Sequence, residues 1–130
     1  ESARKFWAKL LNLEEPPIIE TEEWKSTHMT FRGKPSGGRA KLTFFKLENT
    51  TIELIQPLGR PSTWQDFLDR HGEGIHHIAF VTENVDETVK KLSEFDVQIE
   101  QSGYFKGGGY VYVDSRKKLG AIFELLYYDK

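Results

Sequence analysis

The 130-residue sequence contains no cysteine. That absence excludes disulfides, a thiolate metal site and a cysteine nucleophile, so any metal must be held by histidines and carboxylates. Neither sign of charge predominates: 18 basic groups against 20 acidic ones leave a formal charge of −2, without the basic excess that nucleic-acid binding calls for. No nucleic-acid partner is expected. The longest apolar runs fall far short of a membrane span, and "ESARKFWAKLL" lacks the pattern of a signal peptide. The expectation is a soluble, cytoplasmic chain with no membrane partner. What the sequence does have is 38% apolar residues and 13% aromatics, enough side-chain volume for the core of one domain at this length.

In "ESARKFWAKLLNL", Ala3, Phe6, Trp7, Leu10 and Leu11 recur at helical spacing, with no capping region ahead of them. Three runs then alternate like strands, "KSTHMTFR", "AKLTFFKL" and "TIELIQP", separated by the turns "GKPSGG" and "ENT". In "RPSTWQDFLDRHGEG", Ser62 and Gln65 fit a capping box and Gly72 can close a short linker helix. Beyond it "IHHIAFVTE" reads as a strand, and Asn84 can cap a helix with Val85, Val89, Leu92 and Phe95 on one face. Three further strand candidates follow, "VQIEQ", "YVYVD" and "AIFELLYY". The glycines of "KGGGY" read as a hairpin turn that could also touch a ligand, and "NTT" at 49–51 reads as turn chemistry.

Helix and three strands are therefore followed, after the linker, by strand, helix and three strands. The chain reads as one module repeated, with "DETVKKL" aligned on "ESARKF" and with "TIELIQ" and "AIFELLY" as matching closing strands. The divisions are residues 1–57, a linker over 58–74, and 75–130, together making one domain over 1–130. In this register the first module lacks a counterpart of "HHIAFVTENV". The expectation is a strand that starts about ten residues before Glu1.

Alternation along a strand sends His76 and His77 to opposite faces, so one must be chosen. His77 shares its face with the smaller Ala79 and Val81, whereas His76 shares one with Ile78 and Phe80. His77 is the choice. Glu53 and Glu124 each sit in the middle of an apolar strand, where a carboxylate is costly unless it is paired or binds a metal. Singly, each has an ordinary structural explanation. One histidine with two symmetry-related glutamates is nevertheless a donor set that Co, Mn, Ni or Zn accepts. His77, Glu53 and Glu124 are expected to converge on one concave face, with His76 on the other.

With those residues in view, the sequence resembles the vicinal oxygen chelate superfamily, in which paired strand-helix-three-strand modules form a cupped sheet around a divalent metal. "GIHHIAFVTENVDETVKKL" and "LGAIFELL" look like the second module's ligand strands, and "TTIELIQPLG" looks like the closing strand of the first. The resemblance implies an α+β fold of two βαβββ modules in a mostly antiparallel cupped sheet, the first strand of module 1 being absent from this chain. It also implies His77, Glu53 and Glu124 as metal ligands, with a fourth, His or Gln, upstream of Glu1. Within the superfamily, "IELIQPLGRPSTWQDFLDRHGEGIHHIAF" is most similar to methylmalonyl-CoA epimerases.

This resemblance implies a metal-dependent epimerase that inverts the α carbon of a methylmalonyl-CoA-like acyl thioester through an enediolate. Glu124 would both bind metal and move a proton. Epimerases place an acidic residue in the second strand; here "WKSTHMTFRGKP" offers His28, with Glu22 and Glu23 earlier. His28 is the second catalytic candidate. The enzyme alternative is a glyoxalase I type lyase acting on a thiol adduct. The non-enzymatic one is a metal-free binding protein of the bleomycin-resistance kind, in which Trp24, Phe44 and Tyr104 would matter most. The resemblance further implies a homodimer.

Overall fold

Alternating apolar residues broken by short polar turns make this chain chiefly a strand former. The computed structural model describes all residues, Glu1–Lys130. In chain order it contains α1 (Ser2–Leu11), β1 (Ile19–Glu20), α2 (Trp24–Thr27), β2 (Thr30–Phe31), β3 (Lys34–Pro35), β4 (Arg39–Lys46) and β5 (Thr51–Leu58). There follow α3 (Thr63–His71), β6 (His77–Val81), α4 (Val85–Glu94), β7 (Ile99–Phe105), β8 (Gly108–Val113), α5 (Arg116–Leu119) and β9 (Ile122–Tyr128). The fold is α+β. One sheet has the order β1-β4-β5 and the other β3-β2-β7-β8-β9-β6. All pairings are antiparallel except the parallel pair β6 and β9.

The second half follows the strand-helix-three-strand order. Asn84 caps α4 by accepting a 3.0 Å hydrogen bond from the Glu87 amide, and Asp86 and Glu87 in the first turn complement the helix dipole. Val85, Val89 and Leu92, spaced along one helix face, pack on Val97, Val111, Val113 and Leu125. This core lies on one side of the six-stranded sheet. On the other side Met29, Ala40, Trp64 and Tyr112 form a second cluster, flanked by Leu42, Ile55, Tyr110 and Ile122. Residues of both sheets contribute to it, so it ties the two halves of the chain together.

The linker helix α3 is anchored at the same place. Ser62, almost fully buried, accepts from the Gln65 amide at 3.0 Å, while the Gln65 side chain turns to Asp69 instead of completing the capping box. Gly72 closes the helix with φ 73°.

The expected strand over "KSTHMTFR" is a correction: residues 24–27 form a helical turn and only Thr30 and Phe31 are extended. The Trp24 indole donates to the Met29 carbonyl at 3.0 Å, and His28 takes the left-handed conformation with φ 45°. Those contacts close a turn where alternation alone suggested a strand. In the first half of the chain the strand that flanks β4 on the side away from β5 is instead β1, from "PPIIE", and the β2–β3 hairpin crosses to pair with β7 of the other half. The "KGGGY" segment is a hairpin turn: Phe105 pairs with Gly108, which leaves Lys106 and Gly107 as the loop. Gly107 has φ 93°, and a Cβ at Gly108 or Gly109 would collide with Tyr127.

Candidate metal centre

Register determines which side chains meet. His77 opens β6 opposite Ile122 of β9, and two residues further on Ala79 lies opposite Glu124. On the other flank of β9, Glu124 lies opposite Tyr112. Since side chains alternate along a strand, His77, Ala79, Glu124 and Tyr112 share one face of the six-stranded sheet. Ala79 leaves the space between the imidazole and the carboxylate open. In the three-stranded sheet Glu53 lies opposite Phe44, and Ile55, two residues on and therefore on the same face, joins the cluster shared by both sheets. Glu53 thus projects towards the other half.

The three side chains converge. His77 Nε2 lies 3.2 Å from Glu124 Oε1 and 3.4 Å from Glu53 Oε1, and the potential ligand atoms all lie within 4.8 Å of one another. Relative side-chain exposure is 10% for His77, 19% for Glu53 and 9% for Glu124. Burial by itself would hold the imidazole neutral, but the Glu124 and Glu53 carboxylates outweigh it and raise the His77 pKa to about 9. Even with His77 protonated, two carboxylates leave one negative charge at a largely buried place. His77 is the only ion-pair partner of either one.

His76 is a second correction. It precedes the strand, so alternation does not send it to the far face. Its Nδ1 lies 3.0 Å from His77 Nδ1 and its Nε2 lies 3.3 Å from Thr63 Oγ1. The ring meets Phe67 and Tyr112 edge-on, with centroids 5.4 and 5.1 Å away. Burial, and then the neighbouring His77, lower the His76 pKa to about 4.

Around this group the sequence reasoning missed Trp64, Thr63, Gln101 and Tyr112. The Trp64 indole donates to the Tyr112 hydroxyl at 3.0 Å, and Gln101 Oε1 accepts from the Thr63 amide at 2.7 Å. Gln101 also donates to the Tyr110 hydroxyl at 3.1 Å. Burial pushes both Tyr110 and Tyr112 upward, so both phenols keep their protons. The signal was present in "YVYVD", whose alternation places Tyr110 and Tyr112 on one face.

His28 lies outside this group. It is exposed at the end of α2, where its Nε2 bonds the Lys25 carbonyl at 2.9 Å and its ring stacks on Trp24. Of the residues expected to carry chemistry, the fold brings together His77, Glu53 and Glu124. That set, one imidazole and two carboxylates carrying surplus negative charge, fits a divalent first-row cation.

Comparison with known proteins agrees with this architecture. The model of the Glyoxalase/Bleomycin resistance protein/Dioxygenase superfamily matches residues 1–113. The chain belongs to this superfamily. An uncharacterised protein of Bacillus subtilis (strain 168) is 36% identical over 61 residues, 47% of this chain and 44% of that protein. The ethylmalonyl-CoA/methylmalonyl-CoA epimerase of Cereibacter sphaeroides is 37% identical over 68 residues, 52% of this chain and 51% of the epimerase. The chain thus spans about half the length of these curated relatives. Among solved structures, a variant of the Streptomyces coelicolor methylmalonyl-CoA epimerase in complex with 2-nitronate-propionyl-CoA superimposes with a TM-score of 0.63. That match covers 99% of this chain and 89% of the other, at 16% identity, and so establishes the fold.

Proposed function

We propose that this protein is a metal-dependent epimerase that inverts the α carbon of a methylmalonyl-CoA-like acyl thioester. The observation that carries the reading is the convergence of His77, Glu53 and Glu124 within 4.8 Å, from strands of both sheets. The similarity to a methylmalonyl-CoA epimerase over 68 residues supports the acyl-CoA substrate.

A divalent ion held by His77, Glu53 and Glu124 would supply Lewis-acid stabilisation of negative charge growing on the substrate oxygens. The protein's own part is to bind, orient and move protons. Glu124, 7% exposed and against Tyr112, is our candidate for taking the α proton. Glu53 and His77 fix its position. Tyr112, opposite Glu124 and bonded by the Trp64 indole, would close one side of the site. Inversion also needs a proton returned to the opposite face. His28, exposed and bonded to its own helix, takes no step in this reading.

The reading includes one domain of two modules, 1–57 and 75–130, joined by 58–74, acting in the cytoplasm as a homodimer. Ile78, Phe80 and Val81 of β6 are exposed by 49, 48 and 69%, apolar surface of the kind that contact between copies covers. Sedimentation at micromolar concentration tests the dimer.

The functional test is deuterium incorporation at the α carbon of methylmalonyl-CoA in deuterated water, with the metal content of the protein measured alongside. Exchange that depends on a divalent ion is the expected result. Conversion of a thiol hemithioacetal without such exchange would replace the reading with a lyase. Purification without stoichiometric metal, together with tight binding of an aromatic ligand, would replace it with a sequestering protein.

A further inference from the structure

The two ring nitrogens that face each other between His76 and His77 are 3.0 Å apart, both of them Nδ1. A hydrogen bond at that distance needs one proton between them, so one imidazole donates and the other accepts. His77 directs its Nε2 at Glu53 and Glu124. If Nε2 is the metal-binding atom it carries no proton, and the neutral ring must then carry its proton on Nδ1. His77 is therefore the donor and His76 Nδ1 the acceptor. The His76 proton is thereby fixed on Nε2, where Thr63 Oγ1 lies 3.3 Å away to accept it. With the metal on His77 Nε2, only this assignment satisfies all of these contacts.

From this geometry we infer that His76 is a positioning residue for the metal centre: it orients the His77 ring and keeps a proton on Nδ1, so that Nε2 is the nitrogen that exchanges its proton for the metal. Resting on the metal reading above, this role goes beyond it by giving work to a residue that touches no metal. The support for His76 is itself built. Phe67 and Tyr112 hold its ring edge-on from two sides. Thr63, the first residue of α3, is almost fully buried, and its amide donates to the wholly buried Gln101. The linker helix thus reaches the metal ligand through Thr63 and His76. Outer partners of metal-binding histidines usually are carboxylates or carbonyls; here a second histidine takes that place.

The test compares His76→Asn and His76→Phe with wild type. Asn offers a side-chain oxygen near the position of Nδ1 but loses the ring, whereas Phe keeps the ring packing and loses the acceptor. Affinity for Co²⁺ is measured by calorimetry on metal-stripped protein, and the metal-free melting temperature is recorded for each. The expected result is Co²⁺ binding weakened roughly 10–100-fold in His76→Phe, with His76→Asn nearer to wild type although it melts lower. Equal loss in both variants, or none in His76→Phe, would overturn the positioning role while leaving the metal reading intact. Wild-type protein that binds no Co²⁺ would overturn both. Should a variant fail to fold, nitrogen-15 shifts of zinc-loaded wild type decide instead: His77 must carry its proton on Nδ1 and His76 on Nε2, and the reverse pattern refutes the inference.

Discussion

Metal binding at the Glu53–His77–Glu124 group should release a proton well above the pH at which an ordinary histidine would do so. Burial lowers the affinity of His77 for its proton, but Glu124 and Glu53 at 3.2 and 3.4 Å more than reverse this and hold the pKa at about 9. The cation and the proton compete for the same Nε2 atom. At pH 7 the metal-free imidazole is about 99% protonated, so the apparent dissociation constant lies roughly 100-fold above its alkaline limit, a cost of about 3 kcal/mol. An unperturbed histidine, with a pKa near 6.5, would weaken binding only by about 1.3-fold at the same pH.

The difference is read directly by calorimetry of Zn²⁺ or Co²⁺ binding at pH 7.5 in buffers of different ionisation enthalpy. About one proton released per ion is expected, against about 0.1 for an unperturbed group. Affinity should also rise about ninefold from pH 7 to 8 and about fivefold from pH 8 to 9. Release near zero, or affinity flat over that interval, would refute the claim that the two carboxylates hold a proton on His77.

The same two histidines set the acid–base stability of the metal-free fold. His77, raised to about 9, contributes stability in full below its unfolded pKa and loses it as pH rises towards 9. His76, lowered to about 4, contributes above the unfolded value and loses it as pH falls towards 4. Melting temperature without metal should therefore peak near pH ~6.5, and a monotonic profile between 5 and 9 would contradict the assignment. Glu124→Gln should abolish α-proton exchange on methylmalonyl-CoA even in samples whose metal content is retained; measurable exchange there removes Glu124 from the proton path. His28→Ala should leave the exchange rate as it is, because the ring lies outside the cluster and bonds its own helix. A large loss of rate would return His28 to the chemistry. Tyr112→Phe strands the buried Trp64 indole donor and should cost about 1–3 kcal/mol in urea unfolding, and no loss would mean that the donor finds another partner.

The parts of this structure that were legible in the sequence are those with a local cause. Asn84 capping a helix of periodic valines, Ser62 opening the linker, and the central glutamates of "TIELIQ" and "IFELLY" each follow from spacing along a few residues. The parts that were not legible depend on what a segment meets. "KSTHMTFR" alternates well enough for a strand, but the Trp24 indole finds the Met29 carbonyl and winds the segment into a turn, which leaves Thr30 and Phe31 to pair with β7 about seventy residues away. No period within eight residues contains that information.

The two histidines show the same limit at the scale of one side chain. Alternation sent the two histidines to opposite faces, and the smaller neighbours Ala79 and Val81 then favoured His77, but alternation is a rule that holds only inside a strand. Since β6 starts at His77, the backbone at His76 is free of that constraint, and α3 fixes the ring by offering Thr63, Phe67 and, through Trp64, Tyr112. His76 is thus placed by the linker and His77 by the sheet. The distance between their facing nitrogens measures how the linker docks on the second half. A substitution on α3 that removes its polar contact to His76 without touching any ligand, such as Thr63→Val, should accordingly weaken Co²⁺ binding by way of His76. Combining it with His76→Phe should then add little further loss, because both act through one contact. Additive losses of affinity in the double variant would show that α3 and His76 act separately, and the coupling between linker and metal ligand would have to be abandoned.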